Sequence, residues 1–316
     1  MWGYIPLFGG IFVQIPQVVR LFGQPMQVYT LVIGVAIVIV MALAVLHAPR
    51  GARWRKLDAC LIALGLALVC ARFEHVLLRW DYYAEHLDQA LDFARGGLGW
   101  HGAVLGAWVG ITIFYGVGRG RMRPAPALCA FALPLLAAAA WVGCAAAGCA
   151  YGAEVRTLAD YLPGVTAELR DVYGIAAPRW NTPLYGVILA GATAIFAIGV
   201  QYTAPRLRHL KRPLSHFVRP PMKWAGYKLS PATQADSPMR RISPWRGRFR
   251  PSRGISCPGD AFYLALALLA FGMFMIGYAR ADAVVMIAGV RGDQVLDVAT
   301  LIVALTAWVS ANTGTT

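Results

Sequence analysis

Seven stretches of the chain are each apolar for close to the twenty residues that a helix needs to cross a bilayer's hydrocarbon core. They run approximately over 27–47, 57–78, 98–117, 126–147, 183–203, 260–279 and 295–311. A segment in lipid must satisfy its own backbone, so it is a helix or part of a closed barrel. No ten-residue alternation of the barrel kind occurs. The expected fold class is therefore all-α: a polytopic membrane helix bundle of about seven transmembrane helices, in a single membrane domain over 1–316. The fourth stretch is rich in Ala and Gly, which suits a helix packed inside such a bundle. Only 14% of the residues are charged, where soluble domains have about a quarter.

The net charge of +14 is concentrated in a few loops. Arg50, Arg53, Arg55 and Lys56 occupy 48–56, and Arg119, Arg121 and Arg123 occupy 117–124. The segment 204–257 carries thirteen Lys and Arg and many prolines, from Pro213 to Pro251. With seven spans these three loops fall on one side, which the positive-inside rule makes cytoplasmic. The N-terminus is then outside and the C-terminus inside. The outer side holds most of the acids, among them Asp81, Glu85, Glu154, Asp171, Asp282 and Asp293. Charge grouped in this way suits an anionic membrane surface, and no nucleic acid is expected as a partner.

The segment 204–257 is too polar and proline-rich to bury a core of its own. It is read as a solvated loop between spans five and six, with acidic lipid or ribosomal RNA as the other possible contact. The first 25 residues lack the basic start of a signal peptide and contain Pro6 and Pro16. They are read as an irregular or interfacial segment. Leu87, Leu91 and Phe93 give 85–95 a helical rhythm, read as a short helix on the surface.

Ionisable groups within spans are costly and tend to be functional. Arg72, Glu74 and His75 stand late in the second stretch, and Arg72 suits a phosphate; the alternative is an interfacial Arg reaching headgroups. His101 lies among Gly96, Gly97, Gly99, Gly102 and Gly106, where it is either a general base or a helix-end His bonded to a carbonyl. Trp141 to Cys144 leads to Gly148-Cys149-Ala150-Tyr151-Gly152, with Gly143 and Gly148 allowing close helix contact and a turn. Cys144 and Cys149 could bond in an oxidising compartment or serve as small apolar packing. Arg179 precedes the fifth span, and Arg280 and Asp282 end the sixth. All of these groups fall on one side of the membrane. No Walker loop, HExxH, dinucleotide fingerprint or GxSxG elbow occurs, so no metal and no cofactor is expected.

In order along the chain, several segments resemble the prolipoprotein diacylglyceryl transferase family. Gln27-Val28-Tyr29 resembles its Trp-Tyr-Gly, and Ala71-Arg72-Phe73 its Gly-Arg-Ile/Leu. The run from Gly96 to Gly102 resembles its Gly-Gly-x-x-x-His/Tyr-Gly-Gly turn. Gly143-Cys144 through Gly152 resembles its Gly-Cys-rich signature, and Asp171 to Gly174 followed by Pro178 to Tyr185 the segment that leads into its His-Pro-x-Gln-Leu-Tyr-Glu.

The resemblance implies transfer of diacylglyceryl from phosphatidylglycerol to a lipobox cysteine thiol, in a bacterial inner membrane. It implies phosphatidylglycerol and the signal-peptide region of a prolipoprotein as partners. Arg72, Arg179 or Arg280 would hold the phosphate, and His101 would help to form the thiolate. Tyr29, Gly102, Gly143, Gly148, Tyr151, Arg179 and Tyr185 would line the substrate site. The departures are specific. The family's signature Arg falls on Trp141, the His and the Glu of its His-Pro-x-Gln-Leu-Tyr-Glu on Trp180 and Gly186, its sixth-span Arg near Met273 and the Glu after that near Gly277. The other class of function is therefore a lipid- or lipoprotein-binding paralogue without turnover. A transporter would need polar groups in both halves of the bundle, and the inner half offers almost none.

Overall fold

The computed structural model describes residues 2–7, 11–93, 96–116, 127–171, 173–210 and 259–313. Its main elements are helices: α1 (Val28–Leu46), α2 (Arg53–Leu78), the single turn α3 (Trp80–Tyr83), α4 (Trp100–Gly116), α5 (Ala127–Ala147), α6 (Thr182–Leu210), α7 (Gly259–Gly277) and α8 (Gly292–Thr313). Five of these are long and apolar enough to cross a bilayer, and Trp100–Tyr115 and Ala261–Gly277 are shorter apolar helices. The seven helices answer the seven apolar stretches one for one. The protein is a polytopic helical membrane protein.

Among the described residues, four two-stranded antiparallel pairs decorate the helices: β1 (Trp2–Leu7) with β2 (Ile11–Pro16), β3 (Val18–Leu21) with β4 (Gln24–Gln27), β5 (Thr166–Arg170) with β6 (Ala176–Trp180), and β7 (Met286–Ile287) with β8 (Val290–Arg291). The first two correct the expectation of an irregular start. Phe22 and Gly23 both take positive φ, 51° and 81°, the backbone of the tight turns that match strand twist.

The expected helix over 85–95 is also corrected. A 3-10 turn at Leu87–Gln89 takes its place. A helix there would need the carbonyls of Gln89 and Ala90 for its own ladder, and both accept from the Arg72 guanidinium instead. Leu87 and Leu91 are left exposed.

Small residues bring the helices together. On α4, Gly102, Gly106 and Gly110 recur every four residues, and a Cβ on each would fall 2.3, 2.3 and 2.9 Å from Cys70 O, Leu66 O and Ala63 Cα of α2. This glycine ridge lets two antiparallel backbones touch, the usual means of helix association where lipid is as apolar as the side chains. α7 packs on α8, and α5 on both α1 and α7. The core is again small: Ala130, Ala197, Ala261, Ala265 and Ala304 surround Phe262 and Leu266. Larger apolar side chains such as Val38, Phe73, Ile195 and Val303 point outward.

Residues Met1–Gln201 and Cys257–Thr316 form one compact unit and Tyr202–Ser256 a second. Of the second, only the end of α6 is described. The basic loop 117–124 and most of the basic segment 204–257 lie outside the described residues.

Candidate functional site

At one end of the bundle α2, α5 and α7 finish and α4, α6 and α8 begin. The ionisable side chains singled out in the sequence gather there, and each is already engaged.

Arg72 is 2% exposed. Its Nε donates to Ala90 O at 2.8 Å, Nη2 to Gln89 O at 2.7 Å, and Nη1 to Gly96 O at 2.5 Å and Gly97 O at 3.3 Å. The guanidinium thus clips the connection between α3 and α4 onto α2, and it rests over the Tyr83 ring. A Cβ on Gly97 would strike His75 and Arg72, which explains glycine beside this cation.

His101 opens α4 between two carboxylates. Its Nδ1 is 3.0 Å from Glu74 Oε1 on α2, and its Nε2 is 2.9 Å from Asp297 Oδ1 on α8. Glu74 also accepts from the Gly102 N–H through Oε2 at 2.5 Å. Three helices therefore meet at one imidazole, with all three side chains nearly buried. Neither ring nitrogen faces an open space, so proton traffic with a substrate requires one pair to part. A helix-end His bonded to a carbonyl is not what is found. Asp297 escaped the sequence reading, although an acid inside the seventh apolar stretch was a usable signal.

One turn earlier on α8, Asp293 belongs to a ring of four charges. Arg280 pairs with Asp282 at 2.5 Å and with Asp293 at 3.0 Å, and Arg291 pairs with Asp293 at 3.1 Å and Asp282 at 3.3 Å. Burial alone would make the Arg280 cation easier to deprotonate. The hydrogen bond and charge of Asp282, with Asp293 behind it, overcome that, and its pKa is raised. The ring holds the β7–β8 hairpin against the end of α7.

Gly152 and Glu154, next along the chain from Tyr151, form backbone bridges with Arg280 and Arg179. The segment that follows α5 runs extended between two neighbours. Ala153 N–H donates to Ala279 O and Ala281 N–H to Tyr151 O on one side, while Trp180 N–H donates to Ala153 O and Val155 N–H to Pro178 O on the other. Gly152 permits this, since a Cβ there would lie 2.2 Å from Trp180 O. Arg179 lies over the Tyr151 ring, 4.9 Å from its centre. It pairs with Glu154 at 2.7 Å and Asp171 at 3.3 Å. Burial, helped by the nearby Asp171 charge, pushes the Tyr151 phenol up from its usual pKa, with Arg179 opposing.

The remaining expected residues are structural neighbours of this region. Tyr29 covers Gly143, whose Cβ would fall 2.7 Å from the ring. Gly148 has φ +73° and turns the chain out of α5. The Tyr185 hydroxyl donates to Val165 O. Cys144 and Cys149 are joined in a disulfide, so the pair is bonded rather than loose apolar packing. A small cavity lined by Cys144, Gly148, Cys149 and Tyr151 adjoins them. Arg72, His101, Arg179 and Arg280 do not line it. Each is held by its own set of partners instead of converging on that cavity. Among the described residues, no cluster of His, Cys, Asp and Glu could hold a metal ion.

A model of the prolipoprotein diacylglyceryl transferase family matches residues 16–217. Similar proteins carry the name phosphatidylglycerol–prolipoprotein diacylglyceryl transferase. The one from Acaryochloris marina is 34% identical over 114 residues, 35% of this chain and 41% of that protein. The one from Streptococcus sanguinis is 32% identical over 179 residues, 54% of this chain and 66% of that protein. The one from Bacillus licheniformis is 36% identical over 81 residues, 25% of this chain and 30% of that protein. The chain spans less than two thirds of the length of each of these relatives.

Proposed function

The chain belongs to the prolipoprotein diacylglyceryl transferase family, and from that premise we propose that it transfers diacylglyceryl from phosphatidylglycerol to the lipobox cysteine of a secreted prolipoprotein. In this reaction a C–S bond forms at the glyceryl carbon, the C–O bond to phosphate breaks, and glycerol phosphate leaves. The thiol proton must go to a base, because the thiolate is the reactive species. The leaving phosphate must be met by cations.

The observation that carries this reading is the belt of ionisable side chains at one end of an otherwise apolar bundle. His101, Arg179 and Arg280 lie in it, and the segment after Tyr151 pairs through its backbone with both arginines. Arg179 and Arg280 are the cations for the phosphate. His101 accepts the thiol proton after its pair with Glu74 or Asp297 parts. Arg72 supports the site by holding the 89–97 connection in place. By the distribution of Lys and Arg, this end faces outward in a bacterial inner membrane, with the N-terminus outside and the C-terminus in the cytoplasm. The basic segment 204–257 is then a cytoplasmic loop of a single membrane domain.

Membranes containing the protein are expected to transfer labelled diacylglyceryl to a lipobox peptide. Failure of a folded sample to do so, under conditions where a known transferase works, would sink the reading. A second reading is favoured by one observation: each nominated cation already has partners. On that reading the chain binds phosphatidylglycerol without turnover, and a purified sample would retain the lipid unconsumed.

A further inference from the structure

The three arginines expected to meet a phosphate differ in how firmly their partners are held. Arg72 donates to four backbone carbonyls, so releasing it would undo the chain connection that those carbonyls belong to. Arg280 shares both of its carboxylates with Arg291, and those carboxylates are 18% and 16% exposed. Freeing Arg280 therefore disturbs a second arginine as well.

Arg179 has two partners of opposite character. Asp171 is 9% exposed, and its Oδ1 is occupied by the N–H groups of Tyr173 and Ile175. That carboxylate is part of the turn and stays. Glu154 meets the same Nη2 through Oε1, yet its side chain is 63% exposed. The Glu154 backbone is fixed by a bridge to Arg179. Only its side chain has to rotate for the seat to open, and it rotates into water. Arg179 Nε finds no hydrogen-bond partner among the described residues, so the guanidinium has donor capacity left over.

We propose that Glu154 is an exchangeable counter-ion, occupying on Arg179 a seat that is taken by the phosphate of an anionic lipid headgroup. A phosphate offers several oxygens to the planar fork, where Glu154 offers one. The Tyr151 face stays beneath the guanidinium throughout and favours the cation in either state. Glu154 also prevents Arg179 from being an unmatched cation while the seat is empty of lipid. The exchange rests on the transferase reading for the identity of the lipid alone.

The test uses the full chain in detergent micelles, titrated with dihexanoyl phosphatidylglycerol, dihexanoylglycerol or inorganic phosphate. Removing a competing carboxylate should strengthen binding. Glu154→Gln is expected to bind the phosphatidylglycerol about two- to five-fold more tightly, the factor that corresponds to an exposed ion pair. Binding of dihexanoylglycerol, which has no phosphate, should not change. Arg179→Lys keeps a charge beside Asp171 but loses the fork, and in combination with Glu154→Gln it should abolish the gain. A gain seen with inorganic phosphate but not with phosphatidylglycerol would support the phosphate seat and overturn its lipid source. Unchanged or weaker binding of both by Glu154→Gln would overturn the exchange. Tighter phosphatidylglycerol binding by Glu154→Gln without any transfer by the wild type would sink only the transferase reading. Intact transfer with unchanged binding by Glu154→Gln would sink only the exchange.

Discussion

The indole of Trp141 fills the space in front of Gly186: a Cβ on Gly186 would lie 2.0 Å from Trp141 Cδ2. Trp141 is 5% exposed. The two positions are thus in direct contact.

Gly186→Ala is therefore expected to destabilise the fold by about 1–3 kcal/mol through overpacking. Thermal unfolding in micelles measures it, and Trp141→Ala in the same chain should relieve most of it. Trp141→Arg alone would bury a charge with nothing opposite and lose stability. Trp141→Arg with Gly186→Glu should recover part of that loss. If the double variant unfolds no later than Trp141→Arg, the coupling between the two positions is wrong.

Asp297→Ala leaves His101 Nε2 buried without its partner, and leaves α8 without its tie to α4. The expected loss is about 3–5 kcal/mol, as for other broken buried pairs. Asp297→Asn keeps an acceptor at the same place and should cost clearly less. Equal losses in the two variants, read by chemical unfolding, would show that the Asp297 charge carries the pair and that a neutral acceptor in its place does not.

Arg72→Lys retains the charge but cannot reach four carbonyls at once. Each carbonyl left unpaired costs roughly 1–3 kcal/mol. The cost should appear locally, as faster amide hydrogen exchange over 87–93, while α6 and α7 exchange as before. Unchanged exchange over 87–93 would mean that the connection is held by something other than this clip.

Tyr151 yields a prediction about pH. Burial first, and the Asp171 charge second, raise its pKa in the folded state. The folded protein therefore prefers the neutral phenol. The associated stability is fully present below the unfolded value of about 10, and it is lost as pH rises through that value towards the folded pKa. Tyr151→Phe has no such group to titrate. The wild type should lose melting temperature relative to Tyr151→Phe only above about pH 10. A constant difference from pH 7 to 11 would contradict the stated surroundings of the phenol.

The helices were legible from the sequence because spanning is a local requirement. Twenty apolar residues in a row commit a segment to helix wherever the rest of the chain goes. Gly102 and Gly106 stood out too, yet only the fold shows that with Gly110 they face Cys70, Leu66 and Ala63. The four hairpins were not legible, because pairing of short strands depends on a partner and a turn rather than on composition.

Of the candidate site, His101, Arg72, Arg179 and Arg280 stood out in the sequence because charge and glycine are conspicuous in an apolar chain, whereas Tyr151 came from the family resemblance. What each charge does was decided by tertiary structure. The pairing of His101 with Asp297 spans 196 positions, and no local pattern encodes a contact of that separation. Arg72 clips its own chain, and Glu154 is the exposed partner of Arg179. A span depends on the transfer energy of one segment, which composition reports. A partner depends on where separate helices meet, and that is known only once they have packed.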